Sequence, residues 1–361
     1  MTELNPSGTA IVYSTFLGGD QDEVGLDIAV DRDQLPSDPT QVVVTGWTRN
    51  DLVPPGFPVF PSTTGVVQPA AQGDTDGFVS RLSLDPSNTT VDLLTSTYLG
   101  GSENDHCNGL ALYEGDSGIE VVVVGGTLSS NFPAGNSLLG TSDAFVSRLD
   151  PGFTTLQAST YLGGTDDDDG TEVVVHVNDD GNLEFTLTGI TTSNDFPTSP
   201  GAFDTSYNSY QDAFVTRLSQ NLGSVVYSTY LGGSGDDGGW ELTLVPGVAK
   251  WPVNVTGYTA STNFPIQNAY DTTHNGGLDV FVLRLNTSGT TVMGSTYVGG
   301  DQNDRPFGLA ADSALDVVVA GRAGSSGFPT TTGAYQITYG GGTADAFVLK
   351  FRLTQIGNPG Q

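Results

Sequence analysis

Ser14-Thr15-Phe16-Leu17-Gly18-Gly19 is the stretch whose reading decides the fold, because it returns four more times with conservative changes. The copies run from Ser96 to Gly101, Ser159 to Gly164, Ser228 to Gly233 and Ser295 to Gly300, each reading S-T-Y-[LV]-G-G. An acidic turn follows every copy: Asp22-Glu23, Asn104-Asp105, Asp167-Asp168, Asp236-Asp237 and Asn303-Asp304. A local unit that recurs about every 60 to 80 residues marks a repeat architecture rather than a string of unrelated domains.

Outward from that stretch, each repeat spells four strands. Thr9 to Leu17 alternates apolar and polar residues and stops at the glycine pair. A second strand begins near Leu26-Asp27-Ile28-Ala29-Val30-Asp31, and a β-branched run, Gln41 to Gly46, makes the third. A long segment containing Gly56-Phe57-Pro58 leads to the fourth, Asp76-Gly77-Phe78-Val79-Ser80-Arg81-Leu82. The Phe-Pro pair recurs at Phe132, Phe196, Phe264 and Phe328, and D-x-F-V-x-[RK] recurs from Asp143, Asp212, Asp279 and Asp345.

Four strands repeated five times predict an all-β, five-bladed β-propeller of four-stranded antiparallel blades. The chain starts on the S-T-F-L-G-G strand and ends on the D-x-F-V-x-K strand. The N-terminal strand is therefore expected to complete the C-terminal blade and close the ring. One domain over residues 9–353, with loose ends at 1–8 and 354–361, follows.

The combination of S-T-Y-L-G-G, paired acids, V-T-G, a Phe-Pro loop and D-A-F-V-x-[RK]-L resembles the SBBP β-propeller repeat of bacterial and archaeal proteins. The resemblance covers nearly the whole chain and implies an extracellular or cell-surface location. It implies no catalytic residues. The family name suggests seven blades, but five repeats are countable here.

The bulk composition narrows the partners. With Lys+Arg 11 against Asp+Glu 41, the formal charge is -30, which repels phosphate backbones and anionic bilayers. Neither nucleic acid nor membrane insertion is expected, and no long apolar run occurs. Cys107 is the only cysteine, so no intrachain disulfide can form. No secretory signal pattern follows Met1.

Recurrence also sorts the candidate sites, since a position present in every repeat is scaffold or a five-fold site, and a unique centre belongs where repeats differ. Oxygen-bearing side chains alternating in a glycine-rich turn suit a hard cation such as Ca²⁺. The candidates are Asp20, Asp22, Asn104, Asp105, Asp167, Asp169, Asp236, Asp237, Asp301 and Asn303. The competing reading is that these side chains cap their own turns. The recurring Arg81, Arg148, Arg217, Arg284 and Lys350 read as structural ion pairs or stacks.

Two variable positions attract a ligand reading. One follows V-T-G and holds Trp47, Thr127, Ile190, Tyr258 or Arg322; the other precedes the inner strand and holds Leu26, Asn108, Thr171, Trp240 or Phe307. Of these, Trp47, Trp240, Tyr258 and Phe307 are the candidates for stacking on a sugar ring or a partner surface, with packing between blades as the plainer alternative. The sequence therefore predicts a non-enzymatic binding, adhesion or structural module, with Ca²⁺ as the candidate stabilising ion, whose partner is a protein or glycan at a cell surface. The alternatives are a carbohydrate-active enzyme (glycoside hydrolase or lyase) with carboxylates at the channel mouth, or lectin-like glycan binding.

Overall fold

The computed structural model describes residues 1–31, 40–50, 59–85, 90–115, 117–208, 210–245, 252–312 and 316–353. Among them there is no helix. The chain divides into two compact units, Met1–Leu162 and Gly163–Gln361.

The first unit opens with β1 (Thr2–Leu4) and β2 (Ile11–Ser14). Two four-stranded antiparallel sheets follow. The first holds β3 (Glu23–Asp31), β4 (Thr40–Arg49), β5 (Thr75–Asp85) and β6 (Thr90–Leu99); the second holds β7 (Asp105–Gly115), β8 (Gly118–Thr127), β9 (Asp143–Leu149) and β10 (Leu156–Leu162). The second unit contains β11 (Asp168–Val177), β12 (Leu183–Thr191), β13 (Asp212–Ser219) and β14 (Val225–Leu231), then β15 (Asp237–Leu244), β16 (Val253–Thr259), β17 (Asp279–Leu285) and β18 (Val292–Val298). Its last sheet is β19 (Asp304–Ala311), β20 (Asp316–Ala323) and β21 (Asp345–Arg352). The five repeats are thus five blades, with the sheet topology of a five-bladed β-propeller.

The motifs set the register. In each complete blade the residue after the Asp of D-x-F-V faces the last apolar residue of S-T-Y-[LV]: Gly77 with Leu99, Ala144 with Leu162, Ala213 with Leu231 and Val280 with Val298. Consecutive blades then bury both sheet faces. In the first unit Val43, Val79 and Leu99 pack on Leu110, Val121, Val123 and Phe145. In the second, Val280, Val282 and Val298 pack on Val317, Val319 and Phe347. Full burial of one such side chain stabilises by about 1.5–3 kcal/mol, so these faces are the main source of stability.

The second strand of every repeat (β3, β7, β11, β15 and β19) carries a one-residue bulge, and it falls on the same position each time. The bulged residues are Leu26, Asn108, Thr171, Trp240 and Phe307, which is the second variable position of the repeat. The bulge pushes the carbonyl one residue before Gly25, Cys107, Gly170, Gly239 or Pro306 towards the glycine of V-T-G. A Cβ at Gly46, Gly125, Gly189, Gly257 or Gly321 would lie 1.8 to 2.2 Å from that oxygen. The glycine is therefore a requirement of the bulge.

The expected ring closure is not the pairing that forms. Instead of becoming the fourth strand of the last blade, Ile11–Ser14 pairs with Thr2–Leu4, placing Thr2 opposite Ser14 and Glu3 opposite Tyr13. Among the described residues the last blade has three strands, with β21 at its edge. Local chemistry explains the hairpin. Asn5 Oδ1 accepts the N–H groups of Thr9 and Ala10, and Gly8 takes the positive φ of the turn. Closing so short a loop costs far less entropy than pairing strands from opposite ends of the chain.

The N-terminal residues, expected to be loose, are held by this hairpin. The Met1 ammonium donates to Thr15 O at 3.0 Å, and Tyr13 is buried among Val42, Leu82 and Leu84. Residues 354–361 lie outside the described residues. At the other terminus, Val348 is 77% exposed, whereas its counterparts Val79, Val146, Val215 and Val282 are fully buried.

Candidate site at the blade junctions

The S-T-Y-[LV]-G-G strand hands the chain to the next blade through its two glycines, and each glycine faces a fixed set of polar groups. A Cβ at the second glycine would strike the serine that follows the third strand: Ser129 for Gly101, Ser193 for Gly164, Ser261 for Gly233 and Ser325 for Gly300. In three blades the Asn or Asp before Phe-Pro completes the lock. Asn131 Oδ1 accepts the backbone N–H of Ser102, Asp195 Oδ1 that of Thr165, and Asn263 Oδ1 that of Ser234, each at 2.8 Å.

The Phe of the Phe-Pro loop anchors the same turn by packing on the Phe of D-x-F-V. Ring centroids lie 4.3 Å apart for Phe132 and Phe145, and 4.5 Å apart for Phe196 with Phe214, Phe264 with Phe281 and Phe328 with Phe347. In the first blade Phe60, 4.4 Å from Phe78, has this role. Gly56-Phe57-Pro58, which the sequence puts there, lies outside the described residues. Phe60-Pro61 is the functional copy of the motif.

The first glycine faces carboxylates. A Cβ at Gly100 would sit 2.2 Å from Asp76 Oδ1 and 2.8 Å from Asp105 Oδ2, and one at Gly232 would sit 2.1 Å from Asp212 Oδ1 and 3.1 Å from Asp237 Oδ2. The Asp that opens one blade's D-x-F-V strand is thus paired with the second acid of the turn leading into the next blade. All four residues are fully buried.

Each of these carboxylates has one satisfied oxygen. Asp105 Oδ2 accepts from Gly101 N at 2.6 Å and the Ser129 hydroxyl at 2.9 Å; Asp237 Oδ2 accepts from Gly233 N at 2.7 Å and the Ser261 hydroxyl at 2.6 Å. Asp76 Oδ2 accepts from the N–H groups of Gln72 and Gly73, and Asp212 Oδ2 from Asn208 N. Among the described residues the Oδ1 atoms of all four have no partner with hydrogen-bond geometry. Hydroxyls of Thr127 and Thr259 stand beside Asp105 and Asp237 and moderate their pKa values without the geometry of a hydrogen bond to Oδ1. Gln68 stands in the same relation to Asp76.

Burial is the main cause of the resulting pKa shifts. It pushes Asp105 up to about 6, with the Asp76 charge adding to the rise, and Asp237 up to about 6. Burial likewise pushes Asp212 up to about 7, assisted by Asp237 and Asp204. Among the described residues no cationic side chain answers these charges in the junction.

The remaining acidic-turn candidates are elsewhere. Asp20, Asp22, Asn104, Asp167, Asp236, Asp301 and Asn303 are exposed, and Asp169 is half-buried on β11. The backbone carbonyls of Asp22, Asn104, Asp167, Asp236 and Asn303 each accept an N–H from the end of the third strand or the residue after it. Among the described residues no three of His, Cys, Asp and Glu gather as a metal cluster. Of the ten candidates, only Asp105 and Asp237 enter these pairs. Their partners, Asp76 and Asp212, escaped the sequence reading, although an Asp at that position in every repeat was the available signal.

The aromatic candidates divide. Trp240 and Phe307, on successive bulges, meet edge to face at 6.1 Å, and Phe307 is 52% exposed. Tyr258 is buried: Arg305 lies 4.4 Å from its ring centroid, and its hydroxyl accepts Gln211 Nε2 at 2.7 Å. Trp47, half-buried, meets His106 edge to face at 5.9 Å.

The recurring arginines are structural. Arg81 donates to Ile119 O and Arg284 to Asn254 Oδ1 and Leu353 O, while Arg148 pairs with Glu120 and Arg217 lies over Tyr227. At the blade end opposite the turns, the first unit has a cleft of about 540 Å³ lined in part by Asp31, Gln41, Arg81, Glu114 and Ile119.

Comparison with known proteins adds little to this geometry. No family model matches the chain. A stretch of 132 residues, 37% of the chain, is 33% identical to the regulatory protein FlaEY of Caulobacter vibrioides and spans 12% of that protein's length. Among solved structures, the Bacillus licheniformis rhamnogalacturonan lyase PL11 aligns over 84% of this chain and 59% of its own, at 9% identity and a TM-score of 0.32. A putative 6-phosphogluconolactonase from Bacteroides fragilis aligns over 82% of this chain and 87% of its own, at 13% identity and a TM-score of 0.29.

Proposed function

We propose that the chain is a non-enzymatic β-propeller module, working outside the cell or at its surface, that binds a protein or glycan through the residues that differ between blades. One observation carries this reading: the bulge presents Leu26, Asn108, Thr171, Trp240 or Phe307 from an otherwise repeated scaffold. A rigid frame that varies one projecting side chain per repeat is suited to recognition. The half-buried Trp240 and the exposed Phe307 rings supply apolar faces of the kind that stack on sugars or on aromatic side chains.

The carboxylates that burial drives towards neutral pKa values are fully buried at the junctions. That placement favours binding over hydrolysis, which needs an acid within reach of a substrate oxygen. The charge of -30 argues against nucleic acid as the partner.

The test is a panel of neutral and acidic polysaccharides, and of proteins from an outer cell surface, assayed for both binding and product release. Binding without turnover is expected, weakened about tenfold in a Trp240→Ala, Phe307→Ala double variant, as loss of one or two stacked rings implies. Release of shortened or unsaturated sugars would overturn the reading.

A further inference from the structure

We propose that the open edge of β21 takes the strand from Ile11 to Leu17 of a second copy of this chain, so that copies associate by exchanging the outer strand of a blade. Self-association of this kind is independent of the binding role above.

Two matching surfaces are left uncovered. Among the described residues β21 has no strand beyond it, and Val348 is exposed where its four counterparts are buried. A bare edge of this kind is a template for another strand. Near the start of the chain Phe16 is fully exposed, whereas its counterparts in S-T-Y-[LV], Tyr98, Tyr161, Tyr230 and Tyr297, are buried. In each complete blade that tyrosine caps the pair of Phe rings at the loop anchor, its centroid 5.8 to 6.3 Å from the loop Phe. Among the described residues Phe328 and Phe347 form the same pair without a third ring. Phe16 is the ring that position lacks.

The first blade is uncovered in the same way. Ile28, two residues after its bulge, is exposed, while Leu110 and Leu242 at that place in later blades are buried against the blade before. An open face on the first blade, an open edge on the last and an unburied ring on the S-T-F-L strand are the parts of one more blade junction, which a second copy supplies. In the register of the complete blades, Ala346 would face Leu17, Phe347 would face Phe16, and Lys350 would face Tyr13 as Arg217 faces Tyr227.

β1 stands in for the missing partner. Thr2 Oγ1 lies 3.0 Å from Ser14 Oγ, and the hydroxyl pairs Ser80 with Ser96, Ser147 with Ser159 and Thr216 with Ser228 lie 2.7 to 2.8 Å apart between D-x-F-V and S-T-Y-[LV] strands. The register shifts between Glu3 and Leu4 as it does between Arg284 and Leu285, and Asn5 Oδ1 accepts Thr9 N and Ala10 N as Asn286 Oδ1 accepts Thr290 N and Thr291 N. β1 therefore copies the end of a D-x-F-V strand and holds the edge of Ile11–Ser14 that β21 would take. It is the smaller partner: three of its residues pair, against six of β17 with β18, and Phe16 and Leu17 lie beyond them. Each copy also carries a charge of -30, so association needs salt to screen it.

The experiment is sedimentation of the full chain in about 1 M KCl, where charges are screened beyond about 3 Å, across about 1 to 100 μM protein. The mass should rise with concentration to two copies or more. Phe16→Asp and Val348→Asp replace exposed side chains, so each dilute variant should melt as the wild type does yet stay a single copy. Mixed together, one variant offers an intact strand and the other an intact edge, and a two-copy species should return. With Ser14→Cys and Leu349→Cys in one chain, oxidation should link two chains; Cys107 is buried and does not compete. Deleting Thr2–Leu4 frees the strand and should lower the concentration of half-association about tenfold or more. Single copies at every concentration, association that survives either Asp substitution, or a disulfide closed within one chain would each overturn the proposal.

Discussion

Replacing Gly125 by alanine is expected to cost about 3 kcal/mol or more, the upper range for forcing atoms into a packed site. The methyl carbon would fall 1.8 Å from His106 O and 2.9 Å from the Phe145 ring. Neither neighbour can yield: the carbonyl belongs to the bulged strand β7, and Phe145 is fully buried against Phe132. Relief would require removing the bulge at Asn108, which would shift the following residues of β7 to the opposite face. Gly327→Ala is the control, since a methyl there meets nothing within 4 Å. Its effect should stay within about 0.5 kcal/mol. Thermal and urea melts of the two variants check the pair, and equal stability would refute the role assigned to the bulge.

Phe281→Ala should be nearly as damaging, about 3–5 kcal/mol, the range for truncating a buried aromatic. Phe281 is fully buried, stacks on Phe264 at 4.5 Å and 27°, and covers Gly257, where a Cβ would be 2.6 Å from its ring. The substitution removes the loop anchor and the lid over the bulge together. Phe264→Ala should cost less than Phe281→Ala because it leaves that lid in place. Urea unfolding followed by tryptophan fluorescence would rank the two, and the reverse order would show that the loop, not the strand, holds the junction.

The buried acids add a prediction about pH. For Asp212 the folded pKa, about 7, lies above the ordinary aspartate value of 3.8, so the folded state holds a proton that the unfolded state has released between those limits. The stability from this group is full below the unfolded value and is lost as pH rises through the folded one. The protein should therefore melt progressively lower from pH 5 to pH 8. Asp212→Asn should flatten that slope, which melting curves across the range would show.

Much of this was legible from recurrence. The strand order, the five blades and the pairing of D-x-F-V with S-T-Y-[LV] follow from period-two patterning and glycine stops, which act over a few residues. The ring closure was not, because the Asn5 to Gly8 turn offers Ile11–Ser14 a nearer partner than the end of the chain. Nor was the anchor of the first blade, where two Phe-Pro pairs stand three residues apart and only packing on Phe78 selects Phe60.

By itself, then, the sequence determined that Asp76, Asp105, Asp212 and Asp237 occupy repeated positions. Tertiary structure alone decided that they meet. Each pair joins the start of one blade's fourth-motif strand to the turn entering the next blade, and their oxygens converge because the chain reverses at a glycine with no side chain to separate them. A repeat period reports which positions are equivalent, whereas burial and an unmet hydrogen bond arise only once strands from different blades close around the same point.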